Sequence, residues 1–285
     1  MALPSSGTLK ISDIAGEFGG STPHALSEYY RGGGLVPDVT QNASVPTSGT
    51  IKITDFYGAV NYTPLSILGS ENWLQGSTSS TSSSQTVTLP SGTKSVIMLG
   101  NIGTNASRNT LHTTATLGSV SLTEVISQNN TPSEYTFDSI IYAANVGSLT
   151  GSQTATFNYS NSQQVYGSGH VIIYLSKTFN NLGASDSDST ATTSSPATLT
   201  LNKFGEGIQV GAATVRNSGV GMTNMDTVVN MASPSSSRNY LFGFGISSGS
   251  YNVSSTLSTA ATKMQNDFGE TFVAATFAPT KFDEN

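Results

Sequence analysis

From residue 85 onward the chain alternates apolar and polar positions with the period of a strand. Thr86-Val87-Thr88-Leu89 alternates, Pro90-Ser91-Gly92 turns the chain, and Ser95-Val96-Ile97-Met98-Leu99 returns as an apolar run. Ala115-Thr116-Leu117 and Val120-Ser121-Leu122 flank Gly118-Ser119, the signature of a hairpin. Ala155, Phe157 and Tyr159 share one face, with Thr154, Thr156 and Asn158 on the other. Val171-Ile172-Ile173-Tyr174-Leu175 is apolar on both faces, which predicts a central strand covered on each side. Thr198–Leu201, Ile208–Val210, Tyr240–Phe244 and Phe272–Phe277 continue the series. About ten short strands with turn signals between them and no competing helix predict a mainly β chain. Its larger part, residues 85–285, reads as a β-sandwich of jelly-roll type.

The first 60 residues follow another rule. Pro4-Ser5-Ser6-Gly7-Thr8-Leu9-Lys10-Ile11-Ser12-Asp13-Ile14 returns without a gap as Pro46-Thr47-Ser48-Gly49-Thr50-Ile51-Lys52-Ile53-Thr54-Asp55-Phe56. Each copy predicts a Pro-x-Ser-Gly turn, then a short strand in which Leu9 and Ile11, or Ile51 and Ile53, share a face. A helical turn capped by Ser12-Asp13 or Thr54-Asp55 follows, stopped by Gly16 or Gly58. Between the copies Thr22-Pro23 opens a predicted helix with Ala25, Leu26, Tyr29 and Tyr30 as its apolar stripe, and Arg31-Gly32 closes it. A module with so few large side chains predicts a marginal core that folds fully only against a partner. Residues 61–84, with Trp73 and the Ser/Thr run Gly76–Ser84, read as a polar junction.

Composition narrows the function classes. Charged residues are 10% of the chain, against about 25% in ordinary soluble domains, so the surface is hydrated through hydroxyls and amides. A net charge of −6 with 11 scattered Lys and Arg argues against nucleic-acid binding, which needs a basic footprint. The absence of cysteine excludes thiol catalysis, disulfides and cysteine-ligated zinc. The start, Met1-Ala2-Leu3-Pro4, has neither the basic nor the apolar region of a signal peptide, and no apolar run reaches the ~20 residues of a membrane span.

Candidate chemistry is sparse. His24, His112 and His170 sit in three separate contexts, and no Gly-x-Ser-x-Gly elbow supports a Ser–His–Asp triad. Ser91-Gly92-Thr93-Lys94 matches Ser-x-x-Lys but follows Pro90 in a turn and lacks its companion motifs. Asp186-Ser187-Asp188 offers hard oxygen donors without a full calcium loop, and reads as a solvated loop. Glu124, Glu134, Asp138 and Glu206 are the carboxylates placed among the strands, and nothing in the sequence pairs them for glycoside hydrolysis. No cofactor or metal site is expected.

The order and spacing of Leu3–Gly7, Ile11–Ile14, Glu17–Gly20 and Leu26–Gly33, with the returning Val45–Gly49 and Ile53–Gly58, resemble the N-terminal module of virion structural proteins of tailed bacteriophages, notably those of cyanobacteria and other marine bacteria. The resemblance covers residues 3–58. It implies a non-enzymatic particle component, made in the host cytoplasm and localised to the virion, in neck, tail, baseplate, fibre or head surface. On this reading residues 1–60 dock on other virion proteins through Ile11, Ile14, Phe18, Tyr29, Tyr30, Arg31, Phe56 and Tyr57, unless these side chains form the module's own core. A homo-oligomer, trimer or hexamer, is expected. An alternative is a tail-fibre module that binds host-surface glycan, with Trp73 and polar loops suited to stacking and hydrogen bonding on sugar. An enzyme that trims surface polysaccharide is the third.

Overall fold

The computed structural model describes residues 3–61, 65–76, 79–105, 111–131, 135–160, 165–190, 198–201, 206–216, 225, 227–232, 240–250, 255–258 and 270–279. The chain divides into two compact units, Met1–Pro64 with Pro279–Asn285, and Leu65–Ala278.

In the first unit the elements differ from the periodicity reading. Thr8–Lys10 is extended but unpaired, and the α-helix α1 spans Ile11–Phe18. Two patterns overlap there. Leu9 and Ile11 alternate as in a strand, while Ile11, Ile14, Ala15 and Phe18 recur at helical spacing. The helix wins because the Asp13 carboxylate accepts the Lys10 N–H at 2.8 Å, satisfying an amide at the helix start. The second copy begins alike, Asp55 accepting from the Lys52 N–H at 2.7 Å, but is a 3-10 turn, Ile53–Phe56.

The helix expected over Thr22–Gly32 is a correction: only Leu26–Glu28 forms a 3-10 turn, and the Thr22–Pro23 peptide is cis. Adjacent residues on a helix point about 100° apart. Here Tyr29 turns into the core and donates to the Gly19 carbonyl, while Tyr30 reaches out to the carbonyl of Gly49. Leu3, Leu9, Ile14, Phe18, Tyr29, Val36, Val45, Phe56 and Ala59 make the unit's own core.

In the second unit eight strands form one antiparallel sheet: β1 (Ile67–Gln75), β2 (Ser82–Leu89), β3 (Ser95–Asn105), β4 (His112–Leu117), β5 (Val120–Asn130), β6 (Tyr135–Asn145), β7 (Gly151–Tyr159) and β8 (Val165–Leu175). Their order is β1-β8-β3-β6-β5-β4-β7-β2. The sheet curls until it nearly closes into a barrel, and its end strands β1 and β2 meet through side chains. The Trp73 indole N–H donates to Ser83 Oγ at 3.1 Å, and the Thr88 N–H donates to Glu71 Oε1 at 3.2 Å.

Strand β1 lies wholly in the stretch 61–84 read as a junction, and β2 begins in it, three residues before the expected strand, so that reading is corrected. The inward row of β1 carries Gly69 and Glu71 before Trp73, and that of β2 begins with Ser83. That polarity disguised β1 and the start of β2.

Seven further strands follow: β9 (Phe179–Thr190), β10 (Thr198–Leu201), β11 (Glu206–Arg216), β12 (Thr227–Ala232), β13 (Tyr240–Ser250), β14 (Ser255–Ser258) and β15 (Glu270–Pro279). A second sheet takes the order β12-β13-β11-β15-β9, and β10 pairs with β14. Asp186-Ser187-Asp188 therefore lies on a strand, β9, rather than in a loop.

The period-2 rule now explains two cores. Val96, Met98, Ile172 and Tyr174 point into the barrel with Val87, Leu117, Phe157 and Ile140. Their neighbours Ile97, Leu99, Val171, Ile173 and Leu175 point out and pack on Ile208, Val210, Phe242, Phe244, Val273 and Phe277 of the second sheet. Strands β3 and β8 are covered on both faces, as the apolar run of β8 predicts.

Candidate functional site

The first unit places the eight expected docking residues in two groups. Ile14, Phe18, Tyr29 and Phe56 are buried in its own core, with the Tyr29 and Phe56 rings edge to face at 6.3 Å. Ile11, Tyr30, Arg31 and Tyr57 are half-buried and reach the surface. Arg31 Nη1 pairs with Asp38 Oδ1 at 2.9 Å, and its Nε donates to the Val45 carbonyl at 3.3 Å.

The two Pro-x-Ser-Gly turns are gripped in the same way. The Tyr57 hydroxyl donates to the Gly7 carbonyl and the next N–H, of Gly58, to the Pro4 carbonyl. The Tyr30 hydroxyl donates to the Gly49 carbonyl and the next N–H, of Arg31, to the Pro46 carbonyl. A Tyr-Xaa pair thus clamps each turn.

The second unit brings together polar residues that the sequence keeps apart. On β8, His170 has Trp73 of β1 as its partner on one side and Gly100 of β3 on the other. Trp73 stacks on the His170 ring, centroids 5.0 Å apart, and Phe157 stacks on it at 4.4 Å. Gly100 leaves the room for His112 to enter from β4, since a Cβ there would lie 2.7 Å from His112 Nε2 and 2.9 Å from Phe157.

His112 is held at its far end by Asp138 of β6. One carboxylate oxygen, Oδ2, accepts from His112 Nδ1 at 2.6 Å and from the His112 N–H at 2.9 Å. His112 Nε2 faces His170 Nε2 at 3.5 Å, and His170 Nδ1 faces Ser83 Oγ at 3.5 Å. The Tyr159 hydroxyl bonds Ser168 Oγ at 2.9 Å and lies 3.5 Å from His170 Nε2.

Burial sets the electrostatics. It holds the His170 imidazole well below the ordinary histidine value, with the neighbouring His112 acting in the same direction. It pushes the Tyr159 phenol up to about 12, against hydrogen bonds with Ser168 and Ser83 that lower it. Tyr142 is raised by burial and by the charges of Glu124 and Asp138. Tyr174 is raised by burial and by Glu71, to which its hydroxyl donates at 2.7 Å.

This arrangement is not a nucleophile triad. His112 has the carboxylate behind it, but its free nitrogen meets another imidazole rather than a serine, and the His112 side chain is 0% exposed. What it can do is carry hydrogen-bond polarity across the barrel. Among the described residues no group of three or more His, Cys, Asp or Glu is arranged to hold a metal ion.

Trp73, expected to meet sugar, is 8% exposed and committed to His170 and Ser83, so it offers no stacking platform. His24 Nδ1 lies 3.0 Å from the Tyr29 hydroxyl. Ser91–Lys94 sits in the β2–β3 turn, where Thr93 bonds the Pro90 carbonyl. With residues 147–151 it lines a crevice of about 300 Å³. Glu124 bonds Ser127 at 2.7 Å; Glu134 lies outside the described residues, and Glu206 begins β11.

Compared with protein-family models, curated proteins and solved structures, the chain matches none of them. Sequence reasoning missed the His112–His170–Asp138 cluster. The usable signal was His170, which alternates with the inward Ile172 and Tyr174 of β8; His112 gave none, because a register shift after it breaks its alternation with Ala115 and Leu117.

Proposed function

We propose that the chain is a non-enzymatic bacteriophage virion structural protein, whose residues 1–60 dock on other virion proteins and whose β unit is the part displayed. The observation that carries this reading is the strand order. One half of the curled sheet runs β1-β8-β3-β6 and the other β2-β7-β4-β5. That interleaving is the order of two Greek keys wrapped into a jelly roll, an architecture of viral capsid and lectin domains. The N-terminal motif adds to it independently, through its resemblance to phage virion modules.

Docking rests on Ile11, Tyr30, Arg31 and Tyr57, which the module leaves half-buried, while Ile14, Phe18, Tyr29 and Phe56 support them from within. A trimer or hexamer is the expected assembly. The test is incorporation: residues 1–60 fused to a fluorescent protein, expressed during infection, should appear on gradient-purified particles. Particles without fluorescence would remove the docking role from the module.

A second reading, host-glycan recognition, draws on the crevice between Pro90–Lys94 and residues 147–151, where Lys94 is exposed beside hydroxyls and glycines. Binding of the full chain to a glycan array, lost in Lys94→Ala, would favour it. A blank array would leave display alone.

A further inference from the structure

The polar groups inside the barrel have fixed directions at both ends. The Trp73 indole can only donate, and it donates to Ser83 Oγ. The Asp138 carboxylate can only accept, and it accepts from His112 Nδ1. His112 therefore carries a proton on Nδ1, and with that ring neutral it turns a lone pair at Nε2 toward His170 Nε2. Two lone pairs facing each other in a dry interior would repel, so His170 brings the proton on Nε2. Its Nδ1 is then a lone pair facing Ser83, whose hydroxyl proton can turn to it, in competition with the Tyr159 oxygen, because Trp73 occupies an oxygen lone pair. In this arrangement Trp73, Ser83, His170, His112 and Asp138 each find a partner.

We infer that Trp73, Ser83, His170, His112 and Asp138 form a one-directional hydrogen-bond chain that latches the barrel shut between β1 and β2 and releases it on acidification. The latch acts at the weakest place in the sheet. Between β1 and β2 the closing contacts are side-chain bonds, Trp73 to Ser83 and Thr88 to Glu71.

A proton added at His170 Nδ1 turns the Ser83 hydroxyl away and places a cation between the Trp73 and Phe157 rings, beside His112. The titratable groups facing His170 are His112 from β4 and Tyr159 from β7, with Asp138 of β6 behind His112. Strands β1 and β2 face it with Trp73 and Ser83, which do not titrate. The direction of the effect follows from the neutral folded ring. The unfolded chain binds the His170 proton first, near pH 6.5, so stability is present above that pH and is lost as pH falls below it.

The test uses the full chain with nitrogen-15 histidine. Long-range proton–nitrogen spectra at pH 7.5 should show His112 neutral with its proton on Nδ1 and His170 neutral with its proton on Nε2. Any other tautomer pair, or a charged His170 at that pH, overturns the chain. Urea unfolding between pH 7.5 and 5 is then compared with His170→Gln, an amide that keeps donor and acceptor but cannot titrate. The wild-type unfolding constant should rise by up to about tenfold more per pH unit than that of the variant. Equal pH slopes overturn the latch. Should His170→Gln not fold, the wild-type tautomers still decide.

Discussion

The hydroxyl of Tyr57 donates to the carbonyl of Gly7, 50 residues earlier in the chain. Gly7 has φ 96° and its counterpart Gly49 has φ 83°, so each clamp holds a backbone shape that glycine adopts freely. Tyr57→Phe and Tyr30→Phe each remove one neutral hydrogen bond and should lower the stability of the N-terminal module by about 1 kcal/mol. Gly49→Ala should cost about 1–2 kcal/mol through the left-handed backbone. Limited proteolysis across residues 1–60 at increasing urea would read all three. Equal resistance of Tyr57→Phe and wild type would show that the clamp contributes nothing.

Asp138 supplies the only charge that the interior chain ends on. Asp138→Asn keeps the shape but gives His112 a neutral acceptor in place of a carboxylate. The expected loss is about 1.5–3 kcal/mol, the range for hydrogen bonds to charged groups. Urea unfolding followed by the fluorescence of Trp73, the single tryptophan, reports it directly.

Gly169 of β8 lies under Phe242 of β13, where an added Cβ would come within 2.8 Å of the ring. Gly169→Ala should therefore overpack the core between the sheets and cost about 1–3 kcal/mol. Phe242→Leu beside it should recover part of that loss. A double-mutant cycle showing the two changes to be additive would contradict the contact.

At alkaline pH the sign reverses. Tyr142, Tyr159 and Tyr174 all have phenols raised above the ordinary value by burial, Tyr159 to about 12. A raised folded value means that the native state keeps its protons longer than the unfolded chain. Stability is then complete below about pH 10 and falls as pH rises beyond it. Tyr159→Phe should flatten the part of this loss between pH 10 and 12 in urea titrations.

The strands with a clean apolar row, β3, β7, β8, β13 and β15, were legible because alternation and burial are the same fact seen twice. Strand β1 was hidden because Gly69 and Glu71 occupy inward positions, and Glu71 is there to close the sheet. The bounds of the helix Ile11–Phe18 were misread because Ile11 also alternates with Leu9 as in a strand and Gly16 reads as a stop; the Asp13 carboxylate on the Lys10 N–H sets the start. The cluster in the barrel was illegible for another reason. His112 and Asp138 are 26 residues apart and His112 and His170 are 58 apart, so only strand order and register bring them into contact.

The half-sheet β1-β8-β3-β6 is covered on both faces along β3 and β8, whereas Ser84, Thr86, Thr88, Thr113, Thr114 and Thr123 on the other half point to solvent. The two halves therefore face unequal selection. Drift in β3 or β8 meets a packed neighbour whichever way a side chain points. Drift along the hydroxyl rows of β2, β4 and β5 meets solvent and other surface side chains, such as Thr156 beside Ser84 and Asn158 beside Thr114. Those rows are where diversification, natural or in a randomised library, can change what the surface presents while the scaffold beneath stays constant.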